Sequence, residues 1–552
     1  MSSGLVAEDG PEVENGMAKA GVFALVGFGA IGIVATGAAY GQTAESCAKI
    51  ASLATPQTEI VQATVVEAGK LVLDPPQTSR IFSYLPAFCR VVATAHPSPD
   101  SNIKVEVWLP LASWNGKFLG TGNGGFAGSI SYLGLAGAVL SGFAAGGTDT
   151  GHTGGPGDAG WALGHPEKVI DFGYRGVHTM TEFGKQVVRA FYASNPRENY
   201  FSGCSDGGRE ALMEAQRFPA DYDGILAGAP AYNWTSLFGR GADLSSKTTS
   251  SPESYIPAGK LPAISQAVLS ACHKQEPSAF LADPRTCHLS PDTLLCKGPE
   301  TDACLTPGQA ASLKFLYAGS YLKDGKLVYV GMMPGAETGD GGWSTWITGK
   351  FPGASADAGL ALGYFRNMVY ADPSWSLRKV DIDLDLKASV EKTGDALNAV
   401  NPDLSAFKAR GGKLVLYHGW NDPAISALGT IDYLNSVSKT MGAEATTSFV
   451  RLFVVPGMQH CTGGPGPTDF GQFGLTADPA LNNPDHNLTL ALEQWVEKGI
   501  APELVIARGN TDPSGAGKGG LFTQPICAWP KAAVYSGSGD AKDAANYSCV
   551  AK

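Results

Sequence analysis

Two short segments lying nearly half the chain apart each set a cysteine beside a residue fit for acyl-transfer chemistry. They are Gly203-Cys204-Ser205-Asp206-Gly207-Gly208 and Gly457-Met458-Gln459-His460-Cys461. A disulfide between Cys204 and Cys461 would hold Ser205 and His460 together, so only folds that bring these segments to one place satisfy the pattern.

The first segment reads as a nucleophile elbow. Residues 198–202 predict a short strand and Gly207 to Arg217 a helix. Glycines at 203 and 207 relieve the crowding of a sharp strand-to-helix turn, which lifts a serine Oγ out of the sheet. The next buried strand is expected at Tyr222-Asp223-Gly224-Ile225-Leu226-Ala227-Gly228. A lone G-x-S-x-G is weak evidence; this context strengthens it.

A hydrolase built on such an elbow carries an acid and then a histidine after the serine, each at the end of a later strand. The apolar run Lys413-Leu414-Val415-Leu416-Tyr417 leads into a turn-rich loop that presents Asp422, and Arg451-Leu452-Phe453-Val454-Val455 leads through Pro456-Gly457 to His460. Ser205, Asp422 and His460 are therefore the expected nucleophile, orienting acid and base. An oxyanion needs two N–H donors. One is expected from Asp206, and the other from the loop Gly120-Thr121-Gly122-Asn123-Gly124-Gly125, at Gly122. Asp432 is a rival acid on sequence order alone. His418 has two readings: it points into the pocket to bind substrate, or it packs within its loop. His152 reads as structural.

Together with Arg209, Ala227-Gly228-Ala229-Pro230 and Tyr417-His418-Gly419, these segments resemble the tannase and feruloyl esterase family, which includes mono(2-hydroxyethyl) terephthalate hydrolases. The resemblance runs from about Cys47 to the C-terminus. It implies an α/β fold, an α/β-hydrolase core with an inserted lid domain, with Ser205, Asp422 and His460 as the triad and Gly122 and Asp206 as oxyanion donors. It also implies the disulfides Cys204–Cys461, Cys47–Cys89, Cys272–Cys287, Cys296–Cys304 and Cys527–Cys549. From the residues alone, the ten cysteines suggest five bridges and an oxidising compartment without fixing connectivity. No C-x-x-C pair favours zinc.

Composition fits an exported enzyme. Hydrophobic residues at 44% can fill a large core, while 71 glycines and 35 prolines indicate a loop-rich α/β protein. A net charge of −11 argues against nucleic-acid or anionic-membrane partners. Gly21 to Ala39 is an apolar run, preceded by Met17-Ala18-Lys19 and followed by a small-x-small site at Ala39-Tyr40-Gly41. It is read as a cleaved signal peptide, in preference to a retained anchor, with Met17 as the true start. The expected organisation is an extension and signal peptide at 1–41, hydrolase core at 42–232 and 406–552, and a lid at 233–405. The mature enzyme is expected to be secreted or periplasmic, with no membrane partner.

Members of the family commonly hold calcium in an aspartate-rich lid loop. The corresponding stretch from Cys272 to Asp283 offers only Glu276 and Asp283. Calcium takes six to eight oxygens, so the site is expected to be lost and no cofactor or metal is anticipated. In terephthalate-monoester hydrolases a lid arginine is expected to clamp the free carboxylate. Residues 354–364 hold Asp357 but no arginine, leaving only Arg366 in the following turn. Trp343, Trp346, Tyr364, Phe365 and Tyr370 are candidates to line a slot for a planar acyl group, or equally to form lid core; with His418, Trp343, Tyr364 and Phe365 are the expected substrate contacts. The expected function is hydrolysis of aromatic carboxylic esters, feruloyl (hydroxycinnamoyl) or galloyl. The alternatives are a terephthalate monoester substrate and a catalytically silent, hydrolase-shaped binding protein.

Overall fold

The computed structural model describes residues 42–249, 251–273, 280–339, 341–474, 479–511 and 519–551. The signal-peptide reading of residues 1–41 and the calcium candidate Glu276 lie outside them. The strands, in chain order, are β1 (Thr58–Val66), β2 (Phe88–Ala95), β3 (Ile103–Pro110), β4 (Lys117–Thr121), β5 (Ala144–Thr148), β6 (Glu198–Cys204), β7 (Gly224–Gly228), β8 (Gly319–Tyr321), β9 (Leu327–Val330), β10 (Lys413–Gly419) and β11 (Val450–Val455). Nine of them form one sheet in the order β1-β2-β3-β5-β4-β6-β7-β10-β11.

The sheet joins two regimes. β1, β2, β3 and β5 pair antiparallel, whereas β5, β4, β6, β7, β10 and β11 run parallel. Parallel strands require crossovers that cover both faces, so their sequences lose the alternation of a half-wet strand. β10 is accordingly buried from Leu414 to Gly419, while the edge strand β1 has no fully buried residue.

Successive residues of each inner strand serve opposite faces. Phe201, Ile225, Leu414 and Leu416 join one core with helix Gly176–Tyr192, which presents Val177, Met180, Val187 and Phe191 at helical spacing. Tyr200, Leu226 and Val415 join the opposite core with helix Leu488–Lys498 through Leu488, Leu492 and Trp495. The expected α/β-hydrolase core is present. β6 runs two residues beyond the predicted strand, to Cys204, and the following helix is Asp206–Arg217.

Between the neighbouring strands β7 and β10 the chain makes a long excursion. It contains helices Trp234–Thr248, Leu261–Cys272, Pro307–Ala318, Ala356–Tyr364 and Ile382–Leu397 and the β8–β9 hairpin. Leu244, Ile264, Leu313, Met332 and Trp343 form a core inside it. Trp234, Phe238 and Tyr364 pack with Phe126 and Ile425 from the loops after β4 and β10. The cysteines pair as Cys47–Cys89, Cys204–Cys461, Cys272–Cys287, Cys296–Cys304 and Cys527–Cys549, and none is free. Two of these bridges close short loops inside the excursion. Among the described residues no helix is long and apolar enough to cross a membrane.

The end of β5 carries a buried acid. Asp149 Oδ1 accepts the N–H groups of Lys104 and Gly151, each at 2.9 Å. Burial outweighs these bonds and pushes its pKa up to about 7. A carboxyl whose folded pKa exceeds its unfolded value binds its proton more tightly when folded. Its contribution is therefore complete at acid pH and is lost as pH climbs from about 4, the unfolded value, to about 7. Asp149→Asn keeps an acceptor for both N–H groups without the charge, so its thermal midpoint relative to wild type should rise between pH 5 and pH 8. A difference in midpoint that stays constant over that range would show that Asp149 does not titrate there.

Candidate active site

Ser205 stands between β6 and helix Asp206–Arg217 at φ +67° and ψ −119°. A non-glycine residue in that region is strained by about 1–3 kcal/mol and persists only where its surroundings enforce it. The enforcement is close backbone packing. A Cβ on Gly203 would lie 2.5 Å from the Gly207 carbonyl oxygen, and one on Gly208 would lie 2.2 Å from that of Gly228. The Ser205 N–H donates to the Gly228 carbonyl at 3.0 Å, and the Ser205 carbonyl accepts from Gly208, Arg209 and Ala231. The serine is thus pinned between β6, its helix and the exit of β7.

β11 brings His460 to it. Ser205 Oγ and His460 Nε2 are 2.9 Å apart, and His460 Nδ1 lies 2.8 Å from Asp422 Oδ2. The Cys204–Cys461 bridge joins the neighbours of the serine and the histidine. Asp422 is fully buried, and its Oδ1 accepts the N–H groups of Ala424 and Ile425 at 2.8 and 2.9 Å. Burial disfavours its charge, but the His460 and His418 imidazoles outweigh that and hold its pKa well below the usual carboxylate range. Asp432, the rival acid, lies on helix Ala427–Met441, where burial raises its pKa; the carboxylate that meets His460 is that of Asp422.

The expectations for Gly122 and for His418 as a substrate contact need correction. Gly122 is not a free oxyanion donor: its N–H donates to the Ser202 carbonyl at 2.9 Å, continuing the β4–β6 pairing past Thr121. His418 does not face the pocket. It is wholly buried, with Nδ1 2.8 Å from Thr430 Oγ1 and Nε2 2.8 Å from the Ile425 carbonyl and 3.2 Å from Asp422 Oδ2. It packs behind the acid, as its second reading held. His152 is also structural: it is buried, stacked on Trp161 and bonded to the Phe126 carbonyl.

Ser205 and His460 open onto a cavity of about 610 Å³. Its apolar wall is built from Trp234, Leu237, Phe238, Trp346, Leu360 and Ile425, and the Trp346 ring meets His460 edge-on at 5.1 Å. Trp343, Tyr364 and Phe365 are corrected too, since all three are fully buried and none lines the cavity. Trp343 packs on Tyr317, Tyr364 bonds Thr393 and packs at a tilt on Phe238, and Phe365 stacks on Trp375. Tyr370 bonds Asp385, and Arg366 Nε donates to the Trp375 carbonyl, so neither lines the cavity. Leu237 and Phe238 carried no sequence signal, because which face of helix Trp234–Thr248 meets the cavity is decided by tertiary packing. Gly124 and Gly125 line the cavity beside Ser205; they lie two and three residues beyond Gly122 in the loop already singled out.

That loop is fastened to the serine helix. Asn123 donates its N–H to Glu210 Oε2 at 2.8 Å and accepts the Gly207 N–H at 2.8 Å, while its amide reaches the Ser129 and Thr148 carbonyls. Glu210 is buried, and burial with the neighbouring Asp206 charge pushes its pKa up to about 8. Asp206 pairs with the buried Arg209, whose Nη atoms hold the Phe172 and Gly173 carbonyls. Of the calcium candidates, Asp283 is gripped by Arg285 through both carboxylate oxygens. Among the described residues, His178, Glu214 and Asp221 form a grouping of possible metal ligands, but none of them lines the cavity and Asp221 already pairs with His178 and Lys185.

Glu210→Gln preserves an acceptor for the Asn123 N–H and should leave kcat close to wild type. Glu210→Ala strands that N–H and frees the loop, so kcat should fall roughly ten- to a hundredfold with little change in KM. Equal kcat values for the two variants would show that Glu210 does not hold the loop.

Comparison with known proteins agrees with this architecture. Residues 89–550 match the tannase and feruloyl esterase family. An uncharacterized esterase of Xanthomonas campestris is 41% identical over 538 residues, 92% of this chain and 91% of its own. A probable feruloyl esterase B of Aspergillus clavatus is 34% identical over 469 residues, 84% and 86% of the two chains. The crystal structure of feruloyl esterase B from Aspergillus oryzae superposes with a TM-score of 0.82 at 31% identity, covering 92% of this chain and all of that one.

Proposed function

The chain belongs to the tannase and feruloyl esterase family and is a carboxylic ester hydrolase; on that premise we propose that it cleaves feruloyl (hydroxycinnamoyl) or galloyl esters through Ser205, His460 and Asp422. The observation that carries this reading is the hydrogen-bonded chain from Ser205 Oγ through the His460 ring to the Asp422 carboxylate, opening on an apolar cavity.

In this mechanism His460 Nε2 takes the Ser205 proton as Oγ attacks the ester carbonyl carbon. Asp422 fixes the Nδ1–H tautomer and stabilises the imidazolium. The oxyanion accepts from the Asp206 N–H and from the Gly124-Gly125 turn, which takes the role expected of Gly122. Collapse breaks the bond to the alcohol, which leaves with the proton from His460. Water then repeats the sequence on the acyl-enzyme and regenerates Ser205. A planar acyl group fits between Trp346 and the Leu237–Phe238 wall, where desolvation favours an aromatic ring.

The excursion at 233–405 acts as the lid, since it contributes Leu237, Phe238, Trp346 and Leu360 to the cavity. The pairing of Asp283 with Arg285 supports a hydrolase that works without calcium. Five disulfides and the apolar run at 21–39 support export after signal cleavage.

Hydrolysis of methyl ferulate, methyl gallate and monomethyl terephthalate by the mature protein, with and without EDTA, tests this reading beside Ser205→Ala. Turnover of a ferulate or gallate ester should fall by at least about a thousandfold in Ser205→Ala and be unchanged by EDTA. Turnover that survives the substitution would remove Ser205 from the mechanism, and loss on chelation would restore a metal requirement.

A further inference from the structure

Apart from His460 and the groups around the serine, the cavity wall formed by the described residues is apolar except at one side chain. Asp357, on helix Ala356–Tyr364, lines the cavity with its side chain 11% exposed. Its Oδ1 lies 3.4 Å from Arg240 Nη2. The other acid in the wall, Asp206, has its carboxylate buried against Arg209. Among the described residues no lysine or arginine lines the cavity.

Arg240 explains how an acid is kept there. It is wholly buried beneath Asp357, its Nη2 also donates to the Ala424 carbonyl at 2.8 Å, and its guanidinium lies over the Tyr329 ring. A buried guanidinium without a counter-charge is costly, so each member of the pair stabilises the other. Arg240 takes Oδ1 of Asp357 from the buried side, and the residue's remaining exposure is at the cavity that it lines. Ionised, as the Arg240 guanidinium favours, the carboxylate offers acceptors and no donor. An acyl ring bearing a hydroxyl can donate to it. A ring bearing a carboxylate meets a like charge with no cation in the wall, and a ring whose hydroxyl is methylated desolvates the acid without a bond in return.

Building on the ester-hydrolase reading above, we propose that Asp357, backed by Arg240, is the specificity residue of the acyl pocket: it accepts a hydrogen bond from a phenolic hydroxyl on the acyl ring and selects hydroxylated aromatic esters over O-methylated and carboxylate-bearing ones. A site built to bond a substrate hydroxyl rejects analogues lacking it more strongly than an apolar pocket discriminates by size.

The test uses methyl ferulate and methyl 3,4-dimethoxycinnamate, which differ by one methyl on the phenolic oxygen, with monomethyl terephthalate as the anionic case. In the wild type kcat/KM for methyl ferulate should exceed that for its methyl ether by roughly tenfold or more, with the terephthalate slowest. In Asp357→Leu combined with Arg240→Met, which removes the acid without stranding the guanidinium, the ferulate-to-ether ratio should fall to about one. A second arm needs no turnover and no change to the pair. Titration of tryptophan fluorescence in Ser205→Ala should give a Kd for methyl ferulate roughly tenfold below that of its methyl ether. Equal Kd values, a ratio that survives the double substitution, or terephthalate as the fastest ester would each overturn the proposal. A wild type that turns over none of the three esters sinks the ester reading, while the fluorescence pair still decides Asp357.

Discussion

Everything at this site depends on Ser205 being held in a backbone conformation that it would not adopt alone. At φ +67° and ψ −119° the residue is strained, and the strain of about 1–3 kcal/mol is sustained by contacts that glycine alone permits. Gly203 meets Gly207 and Gly208 meets Gly228 at separations where a Cβ has no room. β6, the serine helix, the β4 loop and the exit of β7 thus converge on one residue. The same closeness that forces the turn leaves the Asp206 N–H at the start of the helix, beside the serine. The strained turn, the placement of the Ser205 hydroxyl and the proposed oxyanion donor share one cause.

The Cys204–Cys461 bridge extends that order to the base. It closes a loop of 257 residues that contains the entire excursion between β7 and β10. Disulfides typically contribute about 2–4 kcal/mol, with longer loops contributing more in the chain-entropy account. Its position matters beyond stability. Ser205 and His460 are each one residue from a bridged cysteine, so the bridge ties together the two segments that carry them. Asp422 is fixed by other means, with two backbone N–H groups on one oxygen and two imidazoles about the other.

The sequence was legible where function is written locally and obscure where it arises from packing. The elbow declares itself because a strained turn needs glycines at set offsets, and Asp422 and His460 follow from the order in which strands deliver an acid and a base. The parallel core is visible as apolar runs too short for helices. Disulfide connectivity came from family resemblance, as spacing alone cannot choose among pairings of ten cysteines. Gly122 was misread because β4 and β6 go on pairing past Thr121 and claim its N–H, which only the register reveals. His418 was open because a histidine at a strand end reads alike whether it faces a pocket or a core. Trp343, Tyr364 and Phe365 are buried away from the cavity, and Trp346 lines it, because the rotation of each helix depends on neighbours far away in sequence.

The central claim, that Ser205 is an activated nucleophile, is tested most directly by reaction with a fluorophosphonate followed by peptide mass mapping. The expected result is a single phosphonyl adduct on Ser205, abolished by His460→Gln. Absence of an adduct in the folded wild-type protein, or an adduct on another serine with Ser205 unmodified, would contradict it.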